Sequence, residues 1–389
     1  MTHKSCLPIV LAVLAMGCEA NSPTETVEQS LQGLSAKSER GSITCDPQTA
    51  DGNADGYVCA RLSDKRCAPT VGLEALEYRD NSLVGTDDPV GRCPGKWTLD
   101  AVPHPWKVVY EDPSTFALVG VWSSSATDVF VTGAAGEVVH FDGATWTSQI
   151  SGTDFEIFDV WGSSSTNVYG AVGDDDTGQV GAILHYDGVS WTHEVIDVPY
   201  LMGIWGSSSS DVFAVGRWGT ILHFDGHQWS QQASGTTEFL WDVWGSSPTN
   251  VFAVGSGGTI LHYDGTSWSP QVSGTSVVLR GVWASSETSA FAVGWHTTGG
   301  TTIALAYDGS SWSVANNGFT APAVLLGVWG RSPTDVYAVG NVGIWRYDGS
   351  AWTNEAQPGG ELWGVWGSDT ETYAVGFDFN SAKILRTRH

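Results

Sequence analysis

An all-β fold, a ring of similar four-stranded sheets, is what this 389-residue sequence predicts, and three observations predict it. A V-W-G motif or close variant recurs seven times, with its tryptophan at Trp122, Trp161, Trp205, Trp244, Trp283, Trp329 and Trp366. Each copy opens a unit of about forty residues with four short apolar segments, complete from Leu240 to Thr275; one such sheet cannot bury both its faces and must pack on its neighbours. A second tryptophan follows an Asp-Gly pair at Trp146, Trp191, Trp229, Trp268, Trp312 and Trp352, and the last unit lacks it. Trp106 stands sixteen residues ahead of Trp122, close to the fourteen to seventeen that separate the two tryptophans elsewhere. The expectation is a seven-bladed β-propeller over 94–389, closed by an N-terminal strand that completes the last blade and hides two sheet edges.

The chain before the ring divides by composition. Residues 1–17 read as an export signal: Lys4 is the positive end, Leu7 to Met16 the apolar stretch, and small residues precede Cys18. Ten apolar residues are too few to cross a bilayer. The order L-A-M-G-C resembles a bacterial lipobox, with Ala15 where that motif prefers leucine, and the resemblance implies a lipoprotein anchored through lipid on Cys18. The expected location is the cell envelope, at the outer membrane or surface, with plain secretion as the alternative. Residues 18–44 are rich in Ser, Thr, Glu and Gln and read as a flexible tether.

Residues 45–93 read as a small module. Cys45, Cys59, Cys67 and Cys93 form an even count in one exported segment, which implies two disulfides with three possible pairings. Asp51-Gly52-Asn53-Ala54-Asp55-Gly56 matches the opening D-x-N-x-D-G of calcium loops, where alternate oxygens point inward. Leu62 at the twelfth position departs from the EF-hand, so the segment resembles the shorter calcium loops of extracellular modules. That resemblance implies calcium on Asp51, Asn53 and Asp55, against a plain turn-rich segment as the alternative. No other cofactor is expected.

Within each blade the strands read in order as L-x-G-V-W (A), D-V-F-A-V-G (B), G-T-I-L-H-Y (C) and the segment opened by the second tryptophan (D). Strand B is apolar without alternation, as in Val251-Phe252-Ala253-Val254, and suits a sheet covered on both faces. Strand D is half polar and suits the rim. The Asp-Gly pairs sit between C and D, where a tight hairpin needs positive φ. His140, His185, His223 and His262 each lie two residues before such an Asp on the same strand face, which favours a hydrogen bond locking the hairpin over metal ligands spread through four blades. The pairs resemble the Asp-box of sialidase-like propellers, although here no residue separates Asp from Gly. The run A-V-G-x-x-G-T-I-L-H-x-D-G-x-x-W resembles the blades of photosystem II assembly-factor-type propellers over about 290 residues.

Forty-two acidic against seventeen basic residues give a formal charge of −25, which repels phosphate backbones and argues against nucleic acid. Departures from the repeat are concentrated in the B-to-C loops, with Asp174, Asp175 and Asp176, Arg217 and Trp218, and Trp295, and in the residue three before each V-W tryptophan, which includes Trp241, Arg280 and Trp363. Both regions open on one propeller face, around the channel mouth. Trp218, Trp241, Trp295 and Trp363 would offer aromatic platforms, and Arg217, Arg280 and Asp174 to Asp176 polar contacts, to a carbohydrate or a cell-surface protein. The expected function is a monomeric, non-enzymatic binding or scaffold protein. The alternative is a sialidase-like glycoside hydrolase; the Asp-box resemblance would then require three clustered arginines and a tyrosine nucleophile beside a glutamate, for which the ring's few arginines offer little material.

Overall fold

The computed structural model describes residues 106–389, apart from 114–116, 175–179, 197, 296–301, 317, 320–323, 342 and 379–380, and before them the strands Asp55–Arg61 and Lys65–Val71. The chain divides into two units, Met1–Pro105 and Trp106–His389. In the first, the two strands form an antiparallel hairpin whose register sets Cys59 opposite Cys67. Cys18, Cys45, Cys93, Asp51 and Asn53 lie outside the described residues, and Asp55 opens the hairpin.

The second unit is seven four-stranded antiparallel sheets. Blades one to six span 118–149, 156–196, 201–232, 240–271, 278–314 and 325–356. Each runs A-B-C-D outward from the hub, as in Leu240–Ser247, Asn250–Gly255, Ile260–Tyr263 and Trp268–Gln271 of blade four. Blade seven takes Glu361–Gly367, Glu371–Asp378 and Ser381–Arg388 from the C-terminus and its fourth strand, Lys107–Asp112, from the front of the unit. Lys107 pairs with Arg386 and Asp112 with Ala382, so the ring closes as the stray tryptophan implied.

The second tryptophan is what wedges the blades together. Its ring stands edge-on to the strand-B aromatic of the preceding blade all the way round: Trp191 on Phe130, Trp229 on Tyr169, Trp268 on Phe213, Trp312 on Phe252, Trp352 on Phe291, Trp106 on Tyr337 and Trp146 on Tyr373. Interplanar angles of 76° to 90° suit the ring quadrupoles. The Trp106 Nε1–H donates to Glu355 in the same way that Trp191 and Trp268 donate to Gln149 and Gln232 of the preceding D strand. Trp106 is therefore chemically the seventh copy.

The turns are built by aspartate and glycine in separate roles. In each Asp-Gly turn the glycine takes the positive φ, 93° at Gly143, while the Asp142 Oδ1 accepts the N–H groups of Ala144 and Thr145. The backbone N–H bonds hold this exposed carboxyl below its usual range. The strand-C histidines do lock the blade, but onto strand B and not onto the turn: His140 and His223 meet Asp128 and Asp211 at 2.7 Å, His185 and His262 meet Asn167 and Asn250 at 2.8 Å. Antiparallel pairing sets each histidine opposite the strand-B aromatic, as His140 on Phe130, and diagonal to the polar residue two before it, whereas the turn carboxylate is already engaged with backbone.

Candidate functional site

The channel wall is made by strand A, and a β-bulge shapes it. In all seven blades the ladder skips the residue three before the V-W tryptophan, between Leu118 and Gly120 in blade one and at the equivalent step in the others. A bulged residue has no ladder partner and is free to vary. The seven are Val119, Phe158, Met202, Trp241, Arg280, Leu326 and Trp363, and all line the channel. B-to-C turns meet the D-to-A connections at this end, through Arg217 N–H to Tyr200 O, Ser256 N–H to Phe239 O and Ala134 N–H to Ala117 O. The two irregular regions therefore share one face.

On that face the predicted residues gather into one relay of cations and rings. The Arg280 guanidinium lies 3.9 Å from the Trp241 ring centre, 5.4 Å from that of Trp363 and 5.5 Å from that of Trp295. Trp241 stacks on Phe239 at 15°, and Phe239 faces Arg217, which also meets Tyr200 and Trp218. Burial pushes the Arg280 guanidinium down to about 10, against the pull of Tyr200, Glu156 and Glu361. Such contacts are worth about 0.5–2 kcal/mol each, so the cluster is a rigid surface.

Three of the expected platforms differ in presentation. Trp241, Trp295 and Trp363 are half-buried and turned onto Arg280, because an arginine at the bulge supplies a cation within reach of all three. Trp218 alone of the four is exposed, at 53%, on a turn over Arg217–Gly219. Its φ of +56° is one that the equivalent Gly257 adopts at +65° without a side chain. Holding a large side chain there costs on the order of 1 kcal/mol. Asp174 follows strand B of blade two, its N–H donating to Val180 O, while Asp175 and Asp176 lie outside the described residues. Among the described residues no group of histidine, cysteine and carboxylate side chains could hold a metal.

Sequence reading missed Tyr200 and Phe239, which sit on connections of no obvious pattern, and two carboxylates one layer below the mouth. The position two before the V-W tryptophan is Gly120, Gly203, Gly281, Gly327 and Gly364 in five blades but Asp159 in blade two and Asp242 in blade four. Asp159 accepts from Val160 N–H and, across the blade interface, from Ile204 N–H at 2.9 Å; Asp242 does the same with Val243 and Val282. Both carboxyls are pushed up by burial, Asp159 further by the charge of Asp242, with the N–H bonds pulling the other way. The signal was present in the repeat, as a glycine column broken twice.

The far end of the channel is closed by the repeat's own exceptions. In five blades the glycine of V-W-G lets the preceding tryptophan lie against the backbone: a Cβ at Gly162, Gly206, Gly245, Gly330 or Gly367 would come within 2.8 Å of that ring. Blades one and five carry Ser123 and Ala284 instead, and their Cβ atoms deny Trp366 and Trp244 that seat. These two indoles are half-buried where their five counterparts are buried, and they meet with ring centres 5.2 Å apart. Trp366 donates to Ser123 Oγ and Trp244 to Ala284 O, which fixes them there. The channel is thus a blind cavity of about 120 Å³.

No protein-family model and no curated protein matches the chain. Among solved structures it is similar to YCF48 bound to D1 peptide, with a TM-score of 0.57 and 16% identity over 73% of this chain and 96% of that one. It is similar to YCF48 from Cyanidioschyzon merolae, with a TM-score of 0.58 and 15% identity over 73% of this chain and 99% of that one. A third match is the WD40 beta propeller domain of Doa1, with a TM-score of 0.57 and 12% identity over 72% and 96%. At these identities the likeness shows the fold, an all-β seven-bladed propeller.

Proposed function

We propose that this protein is a non-enzymatic scaffold that presents the channel mouth to a protein partner and recognises an extended segment of it. The observation that carries this is the placement of Trp218: a large ring is held in water on a left-handed turn whose equivalents in blades one and four carry the small residues Ala135 and Gly257. The Arg217 contact on one face of the ring offsets about the backbone cost and leaves the exposure of so large an apolar side chain without a return in the free protein, whereas a binding anchor gives one. The adjoining relay from Arg217 to Arg280 supplies a preorganised surface. One structural neighbour is described as bound to a peptide, which shows that a propeller of this shape can take one.

The hydrolase reading has less to work with. Arg331, Arg346, Arg386 and Arg388 are tied to Asp335, Glu355 and Glu371 by ion pairs, and the two remaining ring arginines, Arg217 and Arg280, face aromatic rings. No three of them converge on one open site among the described residues. Selection of a displayed random-peptide library on the full chain should enrich peptides whose affinity falls at least tenfold in Trp218→Ala. Retention on a glycan array with no enriched peptide would move the partner to carbohydrate, and turnover of fluorogenic glycosides would overturn the non-enzymatic reading.

We further propose that the leader displays the protein from the cell envelope through a lipid on Cys18, and that disulfides and calcium order the 45–93 module. Cys18→Ser is expected to shift the protein from the membrane fraction to the soluble one; unchanged fractionation would remove the anchor.

A further inference from the structure

The blind cavity below the mouth has a chemistry of its own. Its floor is the Trp244–Trp366 pair, its upper ring holds Trp241 and Trp363, and between them Asp159 and Asp242 stand where five blades have glycine. Both residues retain surface facing the channel. Neither carboxylate has an ion-pair partner among the described residues. Arg280 does not fill that role: it sits a layer higher, against three indoles, and the groups that act on its charge are Tyr200, Glu156 and Glu361. Carboxylates in a wall closed by π faces attract one kind of guest, a compact cation. A cavity of ~150 Å³ takes a benzene-sized molecule, so about 120 Å³ suits a guest of four or five heavy atoms.

We propose that the channel is a single-ended pocket for one primary ammonium group, carried on a lysine side chain of the bound segment or on a small free amine, with Asp159 and Asp242 as its counter-charges and the Trp244–Trp366 pair as its floor. The lysine form rests on the reading of the mouth as a peptide-binding face; the free-amine form does not. Two independent departures from the repeat build the site: aspartate for glycine in the wall, and serine or alanine for glycine behind the floor.

The test is isothermal titration of the full chain at about pH 8.5, above the range in which Asp242 holds its proton and below that in which an alkyl ammonium loses its own, with n-butylammonium chloride, with n-butanol as the uncharged control and acetyl-Gly-Lys-Gly-amide as the side-chain probe. Saturable binding of one butylammonium per chain, with no binding of butanol and at least a tenfold loss in Asp242→Gly, is the expected result. Asp242→Asn, which keeps the size of the side chain, should lose affinity to a similar degree. The double variant Ser123→Gly/Ala284→Gly, which restores the seats of both floor tryptophans, should weaken binding as well. Binding of the free amine but not the peptide would support the pocket and assign it to small amines; binding of both would assign it to lysine. Absence of saturable binding by either probe, or affinity unchanged in both Asp242 variants, would overturn the proposal. Loss of peptide selection with amine binding intact would count against the mouth reading alone.

Discussion

A chain that begins at Ser114 is expected to lose its cooperative melting transition and to associate, whereas one that begins at Trp106 should melt as a monomer. The two differ by the strand Lys107–Asp112 and Trp106. Without them blade seven has three strands, the Ser381–Arg388 edge is left without its ladder, and Tyr337 of blade six loses the ring that stands on it. Each comparable aromatic truncation costs about 3–5 kcal/mol when buried, against a whole-domain stability of roughly 5–15 kcal/mol. An unpaired edge is also a template for another chain. Trp106→Ala, which keeps the strand, should fall between the two at about 2–4 kcal/mol because its ring is half-buried. Calorimetry and size-exclusion chromatography read both effects. Equal melting of the two truncated chains would mean that the ring does not depend on its closing strand.

Replacing Asp242 by glycine should make the protein more resistant to alkaline pH than the wild type. Burial in the channel wall pushes the Asp242 carboxyl up to about 7, whereas the unfolded chain titrates near 4. The folded state therefore holds the proton more tightly. The stability this contributes is fully present below pH ~4 and is lost as pH rises through about 7. Asp159 faces it from blade two and is pushed up as well, partly by the charge of Asp242, so removing one carboxylate also relieves the other. Arg280, one layer higher, stays protonated through this range and adds no step of its own. The variant's stability relative to wild type should rise by roughly 3–4 kcal/mol between pH 4 and pH 8, several degrees in melting temperature for a ring of this size. A difference that does not change with pH would show that the N–H groups of Val243 and Val282 keep the carboxylate ionised throughout.

The fold was legible because a propeller repeats its own constraints. Trp106 could be placed by spacing alone, since the same tryptophan must stand on a strand-B aromatic in every blade. The variable position three before the V-W tryptophan was visible as variation, and the structure explains it as the bulged residue of strand A. Other features depended on geometry that a single strand does not reveal. The strand-C histidines find their partners across the sheet at Asp128, Asn167, Asp211 and Asn250, a pairing set by register. Trp241, Trp295 and Trp363 looked like open platforms in sequence, and only the ring brings Arg280 between them. Ser123 and Ala284 read as minor variants of V-W-G, yet one Cβ each moves a tryptophan of the preceding blade into the channel.

Recognition is assigned here to one face, formed by irregular loops from distant parts of the chain. Hydrogen–deuterium exchange of the full chain, with and without a peptide selected on it, tests this most directly. Slowed exchange confined to the turn at Arg217–Gly219, the connection around Tyr200 and Phe239, and the strand-A bulges at Trp241, Arg280 and Trp363 is the predicted result. Slowed exchange at the Asp-Gly turns, such as those at Asp225 and Asp264, with the mouth unchanged, would contradict it.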